Sequence, residues 1–441
     1  MQNQINTDFN RQLQNLAPTF DLFGYPGLTD PKLCTETVLK VEQLLLNHTT
    51  VGYLGTNGVN LPESYNGLGP RNLIYILLKL FEFFKEFVNR QPIASIHLIF
   101  IEEPEAHLHP QMQSVFIRKL AEISDFFAAR YNNGEPWPVQ FVVTTHSSHI
   151  ANEALFDSMR YFLTQRRQAE STILKTEVKD LRIGLSDEEI ENRNFLHKYM
   201  TLTRCDLLFA DKAILIEGAA ERLLLPQMIH KIDAATAQAE LKLESQYITI
   251  MEVGGAYAHI FFNLLDFLNL QTLIITDIDS TKKITKVKAG RRVSTNAKCP
   301  VFEGERSSNA CINVWMKNDD GTDPAVETLL AKSAAEKTKV KRRLAFQVPH
   351  TDGDACGRSF EDAFILANPN KFEIIGATSI ERAKQAYETA ANVDKTDFAL
   401  EYAVIDTEWV VPRYIEEGLR WLAGNGSHTP GPGSVPQVKM L

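Results

Sequence analysis

The chain has 441 residues, 44% hydrophobic and 23% charged, the balance of a soluble globular protein with room for two or three domains. Its formal net charge of -9 excludes a global basic field for nucleic acid and leaves such contacts to local patches. No apolar run approaches the roughly 20 residues that span a bilayer, the polar start has no signal-peptide core, and five scattered cysteines without a C-x-x-C pair fit reduced thiols in a cytoplasm and no zinc site.

In chain order, "TETVLKVEQLLLNH" has the helical spacing of Val38, Val41, Leu44 and Leu45, and the turn-rich "GTNGVNLPESYNGLGP" follows. "RNLIYILLKLFEFFKEFV" reads as a strongly apolar helix, and "IHLIFIEE" as a fully buried strand. "PQMQSVFIRKLAEISDFFAARY" predicts an amphipathic helix opening at Pro110, before a second buried strand, "VQFVVTTH". Strand, helix and strand in this order imply a parallel sheet. Residues 164–194 are polar and read as a connector. A second α/β pattern begins near 206, where "KAILIEG" and "TLIITDID" are buried strands running into acids, with "AERLLLPQMIHKI" and "AHIFFNLLDFLNL" as helices between them. Residues 281–302 carry seven basic residues and no acid, and the tail "GNGSHTPGPGSVPQ" reads as disordered.

Two constellations carry chemistry. In the first, Glu102 and Glu103 end one strand, His146 ends the next, and Gly67 and Gly69 open a helix. Glu102 could hold Mg²⁺, Glu103 could orient the attacking water, and His146 could sense a γ-phosphate. Backbone N–H groups near Gly67 and Gly69 could cradle phosphate from a facing protomer. His107 and His109 read as loop-packing residues. "NGLGPRN", "LIFIEEPEAHLHP" and "TTHSSH" together resemble the signature loop, Walker B strand and switch histidine of the ABC-type ATPase fold. The departure is that the sequence contains no G-x-x-x-x-G-K-[ST] and no Gly-Lys dipeptide. In that fold the P-loop precedes the signature loop, and without it nothing neutralises the β- and γ-phosphates. No ATP hydrolysis is therefore expected from this chain alone, and ATP is a ligand only if a P-loop is supplied elsewhere.

In the second constellation, Glu217 ends a strand and Glu221 follows one helical turn on. Asp277 and Asp279 end another strand, where i and i+2 share a face. Carboxylates gathered at adjacent parallel strand ends repel each other unless cations sit between them, and hard oxygen ligands suit Mg²⁺ or Mn²⁺. Lys282, Lys283, Lys286, Lys288, Arg291 and Arg292 follow the second acidic pair directly, as a flexible loop that could contact DNA phosphates without reading sequence. "KTKVKRR" at 337–343 is a second, weaker basic candidate.

Glu217 with Gly218, and Asp277 with Asp279, resemble the Toprim module of topoisomerases, primases and some nucleases. "GRSFEDAFI" adds Glu361 at a helix start and "DKTDFAL" adds Lys395 at another. An ABC-type ATPase followed by a Toprim domain resembles the overcoming-lysogenization-defect (OLD) family of nucleases, which includes Gabija-type antiphage nucleases. The resemblance runs from about residue 36 to about residue 422. It implies an α/β chain with a partial ABC-type ATPase domain over 1–204, a Toprim domain with a Rossmann-like parallel sheet over 205–422, and a disordered tail over 423–441. It also implies DNA cleavage in antiphage defence or repair, with Glu217, Glu221, Asp277, Asp279 and Glu361 binding two divalent ions and Lys395 stabilising the scissile phosphate. A homo-oligomer with no membrane contact is expected, and a helicase-like partner is left open. Two competing readings stand: a non-catalytic DNA-binding or regulatory subunit, and a topoisomerase- or primase-like Toprim protein, for which no nucleophilic tyrosine is apparent.

Overall fold

The computed structural model describes residues 32–37, 49–54, 60–92, 94–166, 174–185, 190–202, 205–254, 257–288, 291–424 and 437–440, with a few positions before residue 19. Strands β1 (Lys32–Thr37), β2 (Thr49–Leu54) and β3 (Asn60–Leu61) form a small antiparallel sheet. Thr35, Glu36 and Thr37, expected to open a helix, thus lie in a strand, and the rest of that expected helix, 38–48, lies outside the described residues.

Helix α1 (Leu68–Asn89) buries Leu73, Ile74, Leu77, Leu80, Phe84 and Phe87, the stripe that 3.6-residue spacing dictates. Helix α2 (Pro110–Tyr131) places proline at its first turn, where the missing N–H costs no helical bond, and buries Phe116, Leu120, Ile123 and Phe127. The two helices meet through packed rings, Phe84 and Phe127 lying 5.3 Å apart between centroids. They cover strands β4 (His97–Glu102) and β5 (Val139–Thr145), which pair in parallel as expected. However, among the described residues β4 lies at a sheet edge and is not fully buried: Ile99 and Ile101 are buried, while Leu98 and Phe100 on its other face are exposed.

That sheet continues through β6 (Met159–Arg166) and β7 (Leu174–Asp180), an antiparallel pair, and the strand β16 (Gln437–Met440) lies between β5 and β6. Within the stretch read as a connector, residues 164–166 and 174–180 are therefore strand, which the polar sequence of β7 hides, with Lys175 and Glu177 exposed. The tail read as disordered over 423–441 is described at Ala423 and Gly424, which close a helix, and at β16.

In the second sheet, strands β8 (Lys212–Ile216), β9 (Ile248–Glu252), β10 (Gln271–Ile275) and β15 (Arg342–Ala345) are parallel, and β14 (Thr338–Lys339) is an antiparallel edge. Their spatial order is β14-β15-β10-β8-β9. Alternation sorts their side chains between two cores. Ile214, Ile216, Leu273, Ile275 and Ala345 pack with helices α4 (Ala219–Ala234) and α9 (Arg413–Gly424), and Gly418 lets α9 approach Leu273 closely. Ala213, Leu215, Ile274 and Leu344 face the other way, toward α5 (Phe262–Leu268), in an apolar cluster that runs on into the first sheet and α1. Helix α3 (Ile190–Leu202) stacks Phe195 on Tyr257, and Lys179 of β7 donates to the Phe267 carbonyl at 2.5 Å, so the two sheets share one interior. No described helix is long and apolar enough to cross a membrane.

The chain leaves β8 for β9 on one side and returns to β10 on the other. The carboxyl ends of β8 and β10 therefore flank a topological switch point, the place where open α/β sheets leave a crevice for ligands.

Candidate metal centre at the switch point

Glu217 follows β8 directly and Asp277 lies two residues beyond β10, so the sheet itself brings these acids together. Glu217 Oε1 accepts three hydrogen bonds: from the Asp277 backbone N–H at 2.9 Å, from Asn309 Nδ2 at 3.0 Å, and from the Thr276 hydroxyl. Glu221 sits in the first turn of α4 and accepts the Gly218 N–H on Oε2 at 3.2 Å, a bond that closes the helix start. Gln347 donates from Nε2 to Asp277 Oδ1 at 2.5 Å. Glu361, buried in the first turn of α6 (Phe360–Ala367), accepts the Ser359 hydroxyl on Oε2 at 2.9 Å and faces Lys395 Nζ at 2.8 Å from Oε1. After helix α7 (Ser379–Ala391), Lys395 opens helix α8 (Lys395–Leu400), which packs beside α4.

Asp277 and Asp279 do not share a strand face. The strand ends at Ile275, and Asp279 has φ 51°, a left-handed backbone that turns its carboxylate toward the buried Arg358 guanidinium, with which it forms an ion pair. The alternation argument fails because the chain has left the sheet before the acids begin.

The five acids influence one another electrostatically. Burial pushes Asp277 well above the usual carboxylate range, and the charges of Glu217, Glu221, Glu361 and Asp279 add to that. Burial likewise raises Glu221 to about 7, and raises Glu217 against the hydrogen bonds that favour its charge. Burial works against the charge on Lys395, but Glu361, helped by the charges of Asp277 and Glu221, more than offsets it and holds the ammonium above its ordinary value. As placed, no three His, Cys, Asp or Glu side chains among the described residues close around a single metal position. The donor set nonetheless fits a hard divalent cation. It is all carboxylate oxygen, and its negative charges are held close in a low-dielectric crevice. Protein donors hold Glu217 by Oε1, Glu221 by Oε2, and Asp277 and Asp279 by Oδ1.

Sequence reading missed Thr276, Asn309, Gln347 and Arg358. Gln347 also lies just past a strand of the same sheet, but the two arginines that open β15 interrupt the apolar run that marks β8 and β10. Asn309 and Arg358 reach the site only through tertiary folding.

The basic segment beside Asp279 is a β-hairpin of β11 (Ser280–Lys288) and β12 (Arg291–Lys298), not a loop, and the short β13 (Arg306–Ser307) pairs with its base. Lys282 pairs with Glu303, and Lys283 is exposed. The side chains of Lys286, Lys288, Arg291 and Arg292 lie outside the described ones, though their backbone places them toward the hairpin tip. The weaker basic stretch is absorbed by the fold. Lys337 lies over the Phe346 ring, Lys339 donates to the Trp315 carbonyl, Lys341 donates to the Asn269 carbonyl, Arg342 grips Asp266 with two bonds of 2.7 Å, and Arg343 faces Glu417.

In the first sheet, His146 Nε2 lies 3.3 Å from Glu103 Oε1, and the His146 N–H donates to Glu105 Oε1 at 2.6 Å. Glu102 is exposed at the end of β4. Gly67 is an exposed N-cap, whereas Gly69 is buried: a Cβ there would lie 2.6 Å from the His107 carbonyl oxygen. Gly69 thus permits close packing of α1 under the loop that follows β4. His109, expected to pack within the loop, is exposed and caps α2 by accepting the Gln111 N–H on Nδ1 at 3.3 Å.

Two family profiles match the chain: one described as an AAA ATPase domain, over residues 1–151, and one described as the overcoming lysogenization defect protein-like TOPRIM domain, over residues 208–279. The chain is 28% identical over 421 residues to Endonuclease GajA of Bacillus cereus (strain HuB5-5), covering 87% of this chain and 57% of that protein. It is 26% identical over 222 residues to OLD nuclease of Thermus scotoductus (strain ATCC 700910 / SA-01), covering 50% of this chain and 37% of that one. A second Endonuclease GajA, of Bacillus cereus (strain VD045), is 26% identical over 254 residues, covering 57% of this chain and 36% of its own length. The chain thus spans between 36% and 57% of the curated relatives it matches. With an AAA ATPase domain ahead of an OLD-like TOPRIM domain, the chain is a homologue of the OLD-family nucleases.

Proposed function

We propose that this chain is a divalent-metal-dependent DNA endonuclease whose reaction centre is the crevice between the carboxyl ends of β8 and β10. The observation that carries the reading is the gathering of Glu217, Glu221, Asp277, Asp279 and Glu361 there, with three of the five raised in pKa by burial. The names of its relatives, endonuclease and nuclease, support a nucleic acid as the substrate. Residues 1–204 form the ATPase-like part and 205–422 the nuclease part in this reading.

Glu217, Glu221, Asp277, Asp279 and Glu361 would hold Mg²⁺ or Mn²⁺ through their oxygens, and two such ions supply an activated water and charge stabilisation for the leaving 3′-oxygen. The protein's own contribution is orientation and charge. Thr276 and Asn309 fix the Glu217 carboxylate, Gln347 fixes Asp277, and Arg358 offsets the charge of Asp279. Lys395, whose side chain is 69% exposed, can exchange Glu361 for a non-bridging oxygen of the scissile phosphate. The β11–β12 hairpin follows Asp279 directly, so Lys282 and Lys283 at its base lie nearest the reaction centre, and the basic residues toward its tip would hold the DNA backbone further along without reading bases. These 441 residues do not hydrolyse ATP on their own, because no Gly-Lys dipeptide supplies a phosphate-binding loop. The protein acts as a homo-oligomer, in antiphage defence or DNA repair.

The test is conversion of supercoiled plasmid to nicked or linear product. Mg²⁺ or Mn²⁺ should support it and chelation should abolish it. Equal conversion with excess chelator would reject the metal-dependent reading.

A further inference from the structure

Two neutral amides reach the acidic crevice from different elements, and both are anchored in the same manner. Asn309 is 4% exposed and Gln347 is wholly buried. The Asn309 side-chain oxygen accepts the Ile312 N–H at 3.2 Å, capping the short helix Ala310–Trp315. Its Nδ2 must then point the other way, and it donates to Glu217 Oε1 at 3.0 Å and Thr276 Oγ1 at 2.8 Å. The Gln347 side-chain oxygen accepts the Ile278 N–H at 2.7 Å, and its Nε2 donates to Asp277 Oδ1 at 2.5 Å. In each case a backbone N–H fixes which end of the amide is the oxygen, so the NH₂ end is committed to a carboxylate.

We propose that Asn309 and Gln347 are the positioning residues of the metal centre: each holds one oxygen of one acid and leaves the other oxygen for a cation. This rests on the metal-nuclease reading above. The chemistry favours amides over ammonium or guanidinium groups at these two positions. An amide orients a carboxylate without neutralising it, so Glu217 and Asp277 keep their full attraction for a divalent ion. Both amides lie beneath strand-end acids on neighbouring strands, so together they set the separation of the two inner ligands. A carboxylate free to rotate would first have to be ordered by the metal, at a cost in affinity.

The experiment is calorimetric titration of Mn²⁺ into the full chain, with melting temperatures taken in chelator. The variants are Asn309→Ser, Gln347→Met and the control Asp277→Ala. Serine keeps a good helix cap and methionine keeps the core volume, while each removes the amide donor. Expected is about 10- to 100-fold weaker Mn²⁺ binding in both positioning variants, the usual effect of removing a group that orients a metal ligand, with metal-free melting temperatures close to wild type. A merely structural role would lower the melting temperature and leave the affinity of the folded protein alone. Wild-type affinity in Asn309→Ser would overturn the proposal, whether or not Gln347→Met folds. Wild-type affinity in Asp277→Ala would overturn the metal-site reading itself, and the proposal with it.

Discussion

Lys395 Nζ lies 2.8 Å from Glu361 Oε1, joining the largely exposed start of one short helix to a buried acid at the start of another. The lysine side chain is 69% exposed and the glutamate 4%, so the pair is a flexible cation resting on a fixed anion. Because Glu361 is buried, removing its cation leaves that acid uncompensated, at a cost on the order of 3 kcal/mol in the metal-free protein. Lys395→Met should therefore lower the metal-free melting temperature, and saturating Mn²⁺ should recover much of the difference. Cleavage should fall about 100-fold, the usual effect of losing one group that stabilises developing charge. Plasmid cleavage rates at saturating Mn²⁺, set beside thermal melts, separate the two effects.

Glu221 gives the metal-free protein a pH dependence of defined sign. Burial raises the folded-state value to about 7, against about 4.3 for an unfolded glutamate. Below the lower value both states carry the proton and nothing is lost. Between the two, the unfolded chain ionises while the folded one keeps its proton, so stability falls as pH rises, and the loss is complete above about 7. Glu221→Gln removes that loss. In chelator its advantage over wild type should be absent at pH 4 and reach on the order of a few kcal/mol at pH 8. Melting temperatures across that range check this, and a difference independent of pH would contradict it. Excess Mn²⁺ should favour wild type instead, because ligation uses the ionised carboxylate.

How far the site could be read from sequence follows from these residues. Glu217 and Asp277 were legible because short runs of buried branched residues end at them, and parallel strand ends converge. Glu221 was legible from one turn of helical spacing, and Glu361 and Lys395 only from family resemblance. The Asp277–Asp279 geometry was not legible, because nothing in "TDIDS" announces that the strand stops at Ile275 or that Asp279 adopts a left-handed backbone. Asn309 and Gln347 were hidden for another reason: they lie 92 and 70 residues from the acids they hold. The β11–β12 hairpin escaped because its charged strands lack the alternation that marks a half-buried strand. Strand β6 does alternate, with Met159 and Tyr161 buried, but its partner β7 is mostly polar and exposed.

The two glycines at the start of α1 should respond differently to a methyl group. At Gly69 a Cβ would press within 2.6 Å of the His107 carbonyl oxygen, a backbone atom that cannot swing aside, while at Gly67 nothing lies within 4 Å. Gly69→Ala should cost about 1 to 3 kcal/mol, as overpacking does, and Gly67→Ala about 1 kcal/mol or less, as a weaker helix cap. Denaturant unfolding of the two variants measures the difference.

The hairpin and the "KTKVKRR" stretch make opposite predictions for DNA. Reversing the charge of Lys282, Lys283, Lys286 and Lys288 should weaken DNA binding at least about tenfold. It should also flatten the dependence of log affinity on log salt, by about 0.9 for each phosphate no longer neutralised. Lys339→Met should leave DNA affinity unchanged, because that ammonium already lies over Trp315 and donates to its carbonyl at 2.7 Å. Binding of a fluorescent duplex at several salt concentrations, without divalent metal, compares the variants.

The most direct test of the metal nuclease is the time course of supercoiled plasmid cleavage in Mn²⁺ by wild type and Asp277→Ala at equal concentration. Asp277 is buried and feels the charges of all four other acids of the set. Its loss should abolish cleavage while the chain remains folded by circular dichroism. Equal rates from the two proteins would contradict the assignment of this crevice as the reaction centre.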